Sequence, residues 1–137
     1  MKRILLFCSV FFVAISAQSQ YNNSILVEKI LKSDTTSIGQ KIMYPKVSDA
    51  EVTIAKITFP PGSETGWHKH DIPVFAYVME GELTVELDNG KSVQFKQGSS
   101  FAEVFNTWHN GKNNEKENLV LIAFYLGEKG KVLSQSK

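Results

Sequence analysis

The pattern of apolar and polar positions indicates that strands dominate the chain from Val47 onward. Apolar and polar residues alternate in short segments that end at Gly, Pro or Asn, and such segments are typical of half-buried strands. The alternating segments are residues 51–59, 74–80, 82–87, 91–96 and 100–105. Residues 118–126 (NLVLIAFYL) are apolar on both faces instead, which predicts a strand buried on both sides.

Turn residues separate these strands. Asp88-Asn89-Gly90 lies between two alternating segments, where Asn-Gly is the strongest short-range signal for a β-hairpin. Residues 24–33 (SILVEKILKS) fit a short helix or a first strand, and the pattern leaves both open. We expect residues 128–137 to form a flexible C-terminal tail.

Short strands at this spacing predict an all-β fold, either a sandwich or a small barrel. We expect a single domain over residues 46–127, with residues 20–45 as an N-terminal segment that packs on the barrel. The sequence contains no internal repeat that would indicate a second domain.

Residues 1–19 have the pattern of a secretory signal peptide. Two cations, Lys2 and Arg3, precede an apolar run over residues 4–15 that is too short to span a bilayer, and residues 17–19 (Ala-Gln-Ser) fit a cleavage site. This pattern predicts a periplasmic or secreted protein with no membrane contact after cleavage; the alternative is an uncleaved anchor. Cleavage removes two positive charges and changes the formal net charge from +1 to −1, which does not favour nucleic acid as a partner.

The expected mature chain of about 118 residues is long enough for one core and contains neither cysteine nor arginine, because Cys8 and Arg3 lie in the signal segment. Without disulfides, its stability must come from packing. Without a guanidinium group, an anionic substrate would have to bind lysine, backbone amides or a metal ion.

Three histidines remain in the expected mature chain: His68, His70 and His109. Residues i and i+2 of a strand share a face with Cα atoms roughly 6.6 Å apart. Two imidazoles at that separation can bind one ion at about 2.0–2.1 Å from each nitrogen. An HxH pair alone is more often not a metal site, but His109 follows a hairpin and a strand, and an antiparallel meander can bring it beside the pair. The geometry is therefore compatible with one metal ion bound by all three.

The residues around the first two histidines resemble a motif of the cupins, a family of small double-stranded β-helix (jelly-roll) barrels. That motif reads G, five residues, HxH, three or four residues, E, six residues, G. Here Gly62 precedes His68 and His70 at this spacing, and Gly81 closes the motif.

A second stretch resembles the other cupin motif, which reads G, five residues, PxG, two residues, H, three residues, N. Here Gly98 precedes His109 and Asn113 at this spacing. With the flanking strands, the resemblance extends over most of residues 40–127. It implies a jelly-roll barrel, and it places all three histidines on the family's histidine ligand positions.

The sequence departs from the two motifs at three positions. Val104 and Asn106 replace Pro and Gly of the second motif, and Asn tolerates the positive φ that such a turn needs. The third change alters the chemistry, because Val74 stands where the family has its glutamate ligand. Three neutral imidazoles leave a divalent ion with its full charge, so it should bind anions more tightly and acidify bound water further.

One divalent transition metal is therefore expected, with iron, zinc, nickel, copper and manganese as candidates, since imidazole suits several of them. Three-histidine sites with an open position are known for zinc. The resemblance also implies a precedent for iron, because some dioxygenases of this fold bind iron through three histidines without the glutamate.

Glu103 is the acid that most needs explanation, because Ala102 and Val104 flank it. It is either an exposed strand position, as charged residues usually are, or a general base or partner of a ligand histidine. Two other acids, Glu64 and Asp71, lie near the first motif, but alternation from His70 points Asp71 to the opposite face.

Alternation also predicts the surroundings of the ion. The small apolar side chains of Val74, Ala76 and Val78 are expected to share the metal-facing side and line a pocket, and Trp67 and Trp108 are either packing residues or the mouth of that pocket. The opposite face of this strand is also apolar and needs covering, by N-terminal residues or by a second subunit, so we expect a homodimer.

These observations favour two functions. The first is a metal-dependent enzyme, with iron-dependent oxygenation of a small organic molecule as its leading version. The second is a non-catalytic cupin of the cell envelope that binds a metal or a small ligand, because the mature chain offers few acid–base groups beyond the ligands. A metal-free structural protein would not need three ligands in register.

Overall fold

The computed structural model describes residues 24–137, so the expected signal peptide (residues 1–19) lies outside the described residues. This part of the chain contains no helix and hence none that is long and apolar enough to cross a membrane. Its strands are β1 (Ala50–Phe59), β2 (His68–Lys69), β3 (Val74–Glu80), β4 (Glu82–Leu87), β5 (Ser92–Lys96), β6 (Ser100–Ala102), β7 (His109–Lys112), β8 (Leu119–Glu128) and β9 (Gln135–Ser136).

The strands form two antiparallel sheets, with the orders β1-β8-β3-β6 and β5-β4-β7-β2-β9. Side chains from both sheets meet in one apolar cluster, as expected when each sheet has one face to bury. The cluster consists of Phe59, Ala76, Val78, Leu83, Val85, Leu87, Phe101, Val104, Leu119 and Leu121. The predicted all-β jelly-roll barrel is confirmed.

Strand β8 lies between β1 and β3 in the first sheet. It pairs with β1 along its whole length, from Phe59 opposite Leu119 to Ala50 opposite Glu128. The predicted strand is confirmed, but burial on both faces holds only for residues 119–121. Phe124 is 38% exposed and lines a cavity on its face of the sheet together with residues 28–31.

The hairpin between β4 and β5 is also confirmed. The Leu87 N–H donates to the Lys91 carbonyl (2.8 Å), and the Gly90 N–H donates to the Leu87 carbonyl (3.0 Å). Gly90 has a φ of 81°, a conformation in which a side chain would be strained, so the Asn-Gly pair fits this turn.

Residues 24–33 form neither the helix nor the strand that the sequence left open, and their apolar side chains are exposed, with Leu26 at 94%. The expected N-terminal segment (residues 20–45) begins outside the described residues. Its later part contacts the barrel, since the Ser37 N–H donates to the Ala102 carbonyl (2.9 Å) and the Gln40 side chain bonds to Phe105.

Residues 128–137, where we expect a flexible C-terminal tail, include the end of one strand and a second, short strand. β8 continues to Glu128, and β9 then pairs with β2, which places Ser136 opposite His68 and Gln135 opposite Lys69. The physical reason is that β2 pairs with β7 along one edge only, and the tail backbone pairs with the other edge. The polar sequence of β9 has no apolar alternation that would predict a strand.

Candidate metal centre

The three histidines come together on neighbouring strands. His68 and His109 face each other across the β2–β7 pair, and His70 directly follows β2. The ring centroids are 4.2 Å apart for His68 and His109, 4.9 Å for His68 and His70, and 5.2 Å for His70 and His109. One nitrogen from each ring lies within 4.8 Å of the others, so the residues are positioned to bind a single metal ion.

Backbone carbonyls fix the orientation of all three rings. A carbonyl oxygen only accepts, so Nδ1 carries the hydrogen in each neutral ring and the lone pair lies on Nε2. Metal-binding histidines in proteins usually donate their second nitrogen in this way. The acceptors are the carbonyls of Gly66 for His68 (2.8 Å), Leu133 for His70 (2.7 Å) and Thr107 for His109 (2.8 Å).

Burial favours neutral rings, which are the form that binds a metal. His70 and His109 are 3% and 1% exposed. Desolvation lowers the pKa of His70, and it lowers the pKa of His109 from 6.5 to about 4. The Nε2 of His109 is buried without a hydrogen-bond partner among the described residues. Such orphaned atoms are rare, and a cation would satisfy this one, so the donor set fits a divalent transition metal.

Glu103 lies just beyond β6 and directs its carboxylate to the same place. Its side chain is 15% exposed, and Oε1 is 3.4 Å from Nε2 of His109. Burial raises the pKa of Glu103, while the charges of His70 and His68 act in the opposite direction. Of the two interpretations of this residue, the exposed strand position does not describe it: the structure places an acid beside a histidine.

The other two candidate acids bond outside this group. Glu64 accepts a hydrogen bond from Nδ2 of Asn110 (3.1 Å) and pairs with Nζ of Lys112 (3.4 Å). Asp71 is exposed and accepts from Nε2 of Gln135 (3.3 Å). Neither belongs to the set of ligand atoms within 4.8 Å of one another.

A cavity of about 40 Å³ adjoins the histidines, and its walls are mostly apolar. Besides the histidines, its lining includes Thr65, Glu103 and Tyr125 as polar residues. Of the three side chains expected to form the wall, only Ala76 lines this cavity.

The other expected lining residues lie elsewhere. Val74 and Val78 share the buried face of β3 with Ala76, but Val78 packs in the core and Val74 lines a separate cavity beneath residues 41–43. Trp67 and Trp108 do not line the cavity, because each is one position from a ligand and alternation turns it to the other side. Nζ of Lys137 lies over both indole rings instead, at 5.6 and 5.9 Å from their centroids.

Sequence reasoning missed Tyr125. Its ring lies 5.7 Å from that of His70, and burial, followed by the negative charge of Glu103, raises the pKa of its phenol. The signal was present, since alternation along β8 puts Leu121, Ala123 and Tyr125 on one face, and all three line the cavity.

The turn before His109 keeps the shape that the motif requires. Asn106 has a φ of 47°, as expected for an Asn that replaces the motif glycine. Its N–H donates to the His70 carbonyl (2.7 Å), so this turn links the backbone of one ligand to the segment that carries another.

Comparisons with known proteins agree with this architecture. A family model described as a cupin domain matches residues 55–125. The chain is similar to a solved cupin domain from Bordetella pertussis, with 26% identity over 62% of this chain and 97% of that chain and a TM-score of 0.50. No curated protein matches the chain.

Two solved enzymes share the fold at lower identity. They are an oxalate decarboxylase from Lactobacillus farciminis (18% identity, 62% of this chain and 26% of that chain, TM-score 0.54) and the DMSP lyase DddQ from Ruegeria pomeroyi (12% identity, 66% and 44%, TM-score 0.55). At these identities the likeness concerns the fold alone.

Proposed function

The chain belongs to the cupin family, and we propose that it is a secreted metal-dependent enzyme that acts on a small organic molecule, with iron-dependent oxygenation as its leading reaction. One observation carries the proposal. Each imidazole is fixed through Nδ1, the three rings converge, and Nε2 of His109 has no hydrogen-bond partner among the described residues. Three protein ligands leave positions on an ion for substrate.

The ligand set determines what a bound metal would supply. His68, His70 and His109 would hold it, and Val74 contributes no carboxylate charge. A divalent ion bound by neutral ligands alone supplies strong Lewis acidity toward an anionic substrate or a bound water.

Glu103 is the residue we propose as the acid–base group. Its raised pKa means that the buried carboxyl takes up a proton more readily than an exposed glutamate does. It would hold or release that proton at Oε1, which lies 3.4 Å from a ligand nitrogen. Tyr125 also lines the cavity, and its raised pKa keeps the phenol as a hydrogen-bond donor.

The size of the cavity limits the substrate. A water molecule needs roughly 10–15 Å³ of such space. A cavity of about 40 Å³ therefore accommodates a group of only a few atoms. Ile57, Phe59 and Leu121 line it and would exclude water from that group. We propose a small organic acid, ketone or phenol, or the corresponding end of a larger molecule.

The alternative function is a non-catalytic cupin that binds a metal or a small ligand. One observation favours it: apart from the three ligands, Glu103 and Tyr125 are the only titratable side chains among the cavity-lining residues. An enzyme that moves several protons would need more such groups.

We also propose a periplasmic or secreted location and a homodimer. Residues 1–19 support the location through their signal-peptide pattern. The outer face of the first sheet supports the dimer, since Val52 and Ile54 are 56% and 61% exposed there and lie near the exposed Phe124. The mass of the purified protein by light scattering and the N-terminus of the mature chain test these two proposals.

The function is tested by metal analysis of protein purified from its natural compartment, followed by oxygen-consumption assays with diketones, small organic acids and phenols, and with thiols as a further class. We expect one first-row transition metal per chain and oxygen uptake with one substrate class. A His109→Ala variant should lose both. Metal without turnover would favour the binding alternative, and protein without stoichiometric metal would overturn the enzyme proposal.

A further inference from the structure

We infer that residues 133–137 are part of the metal site: this C-terminal segment positions His70, and metal binding and docking of the segment stabilise each other. The inference rests on the proposed metal binding. It depends on contacts that the tail makes with residues 67–71, the stretch that carries two of the ligands.

The tail follows this stretch residue by residue. β9 pairs with β2, so that Ser136 lies opposite His68. The Lys137 N–H donates to the Trp67 carbonyl (3.0 Å), and the Leu133 carbonyl accepts from Nδ1 of His70 (2.7 Å). β2 thus lies between two strands, with β7 and its ligand His109 on one side and the tail on the other.

His70 differs from the other two histidines in where the carbonyl that accepts its Nδ1–H bond lies in the sequence. The carbonyls that orient His68 and His109 lie two residues before each histidine, so local backbone geometry supplies them. The carbonyl that orients His70 lies 63 residues away in sequence, in the tail. If the tail leaves, His70 loses the bond that fixes its tautomer and its ring orientation, while the other two rings keep theirs.

Besides the bond to His70, the docked tail is held by its pairing with β2 and by side-chain contacts of Gln135 and Lys137, and little of it is buried. Leu133 is half-buried, and the other residues of the segment are exposed. Segments with few buried apolar contacts open at low free-energy cost. Because few of the contacts that hold the tail are buried, we expect the bond to His70 to contribute measurably to its docking.

These two facts couple the tail to the ion. A metal on Nε2 keeps the hydrogen of His70 on Nδ1, which is the form that donates to the Leu133 carbonyl. Binding linkage is reciprocal, so the factor by which the docked tail raises metal affinity is the factor by which metal favours docking.

Zinc titration of two chains tests the positioning role. A chain that ends at Val132 should bind zinc about 10–100-fold more weakly than the full chain, the usual cost of losing such a partner. Long-range nitrogen–proton spectra of its histidines should show that His70 no longer carries its hydrogen on Nδ1 alone. The matched control is the full-length variant Lys131→Ala, which removes one lysine charge as the truncation does, changes an exposed side chain before the segment and should bind zinc as the unaltered protein does.

Hydrogen exchange in the full chain tests the reciprocal effect and does not require a truncated protein to fold. Saturating zinc should slow exchange of the Lys137 amide, which donates to the Trp67 carbonyl, by the factor that truncation costs in affinity. Equal zinc affinity of the two chains, equal weakening in the side-chain control, or unchanged exchange on zinc binding would each overturn the inference. A full chain that binds no zinc would instead overturn the proposed metal function, and this inference with it.

Discussion

Replacement of Gln40 by alanine should weaken both the fold and the metal site, although Gln40 touches no ligand. Its side chain bonds to both backbone groups of Phe105, which lies in the segment leading to His109. Nε2 donates to the Phe105 carbonyl (2.9 Å) and to Oγ1 of Thr107 (3.1 Å), and Oε1 accepts from the Phe105 N–H (2.9 Å). The same segment supplies the Thr107 carbonyl that orients His109.

The size of the effect follows from these bonds. A hydrogen bond contributes about 0.5–1.5 kcal/mol net. The two bonds to Phe105 account for most of the loss, since water can replace the hydroxyl bond at this half-buried position. We expect Gln40→Ala to lower the free energy of unfolding by about 2 kcal/mol. For a domain of this size, that lowers Tm by roughly 8 °C.

Urea unfolding and zinc titration of the Gln40→Ala variant provide the two measurements. The control is Lys41→Ala, which removes the exposed ion pair with Asp34 in the same segment and should change neither quantity measurably. We expect the Gln40 variant to bind zinc several-fold more weakly, because the Thr107 carbonyl is held less firmly. A free energy of unfolding of the Gln40 variant within 0.5 kcal/mol of that of the unaltered protein would refute the assigned role of these bonds.

Three further predictions concern charge, backbone and pH. Glu103→Gln should keep zinc and lower turnover about 10²–10⁴-fold; loss of zinc would show instead that the carboxylate is a ligand. Gly81→Ala should lower the free energy of unfolding by more than the about 1–2 kcal/mol that a left-handed conformation costs a residue with a side chain, because its Cβ would lie 2.8 Å from the Asn118 carbonyl oxygen. Gly90→Ala is the control, since its Cβ meets no atom within 4 Å. Equal losses for the two variants in urea unfolding would contradict this prediction. The free energy of unfolding of the metal-free protein should fall by up to about 3 kcal/mol as pH decreases from 6.5 to 4, because His109 is protonated in that range mainly in the unfolded state. The same dependence of unfolding free energy on pH in His109→Gln would refute this prediction.

The strands that could be predicted are those whose own sequence shows apolar alternation or a continuous apolar run. β3 and β4 begin and end where the alternating segments do, and β8 extends its apolar run by two residues. The predicted strand over residues 100–105 ends at Ala102, because the chain then turns toward Asn106 and its positive φ. β7 (His-Asn-Gly-Lys) and β9 were missed because partner strands, not apolar alternation, hold them in place.

The candidate site divides in the same way. The three histidines could be predicted because their spacing matches the cupin motifs. The inward direction of Glu103 could not be predicted, because it depends on where β6 ends. Tyr125 and Leu133 carry no motif and reach the site only through pairing between strands that are distant in sequence. Contacts of that kind depend on which distant strands pair with each other, and alternation within one strand defines its two faces but not its partner.

The position of Val74 explains what replaces the family's carboxylate. Strand β3 lies between β6 and β8, so position 74 has a neighbour on each side: the Glu103 N–H donates to its carbonyl (2.8 Å), and Tyr125 is its register partner on β8. Glu103 and Tyr125, which both line the cavity, are therefore both neighbours of Val74, the residue that stands in place of the family's glutamate. The carboxyl of Glu103, just beyond the end of β6, lies beside the three histidines without occupying the ligand position at residue 74. In the proposed function this arrangement would separate two roles, since the imidazoles would hold the ion while the acid remained available to exchange a proton.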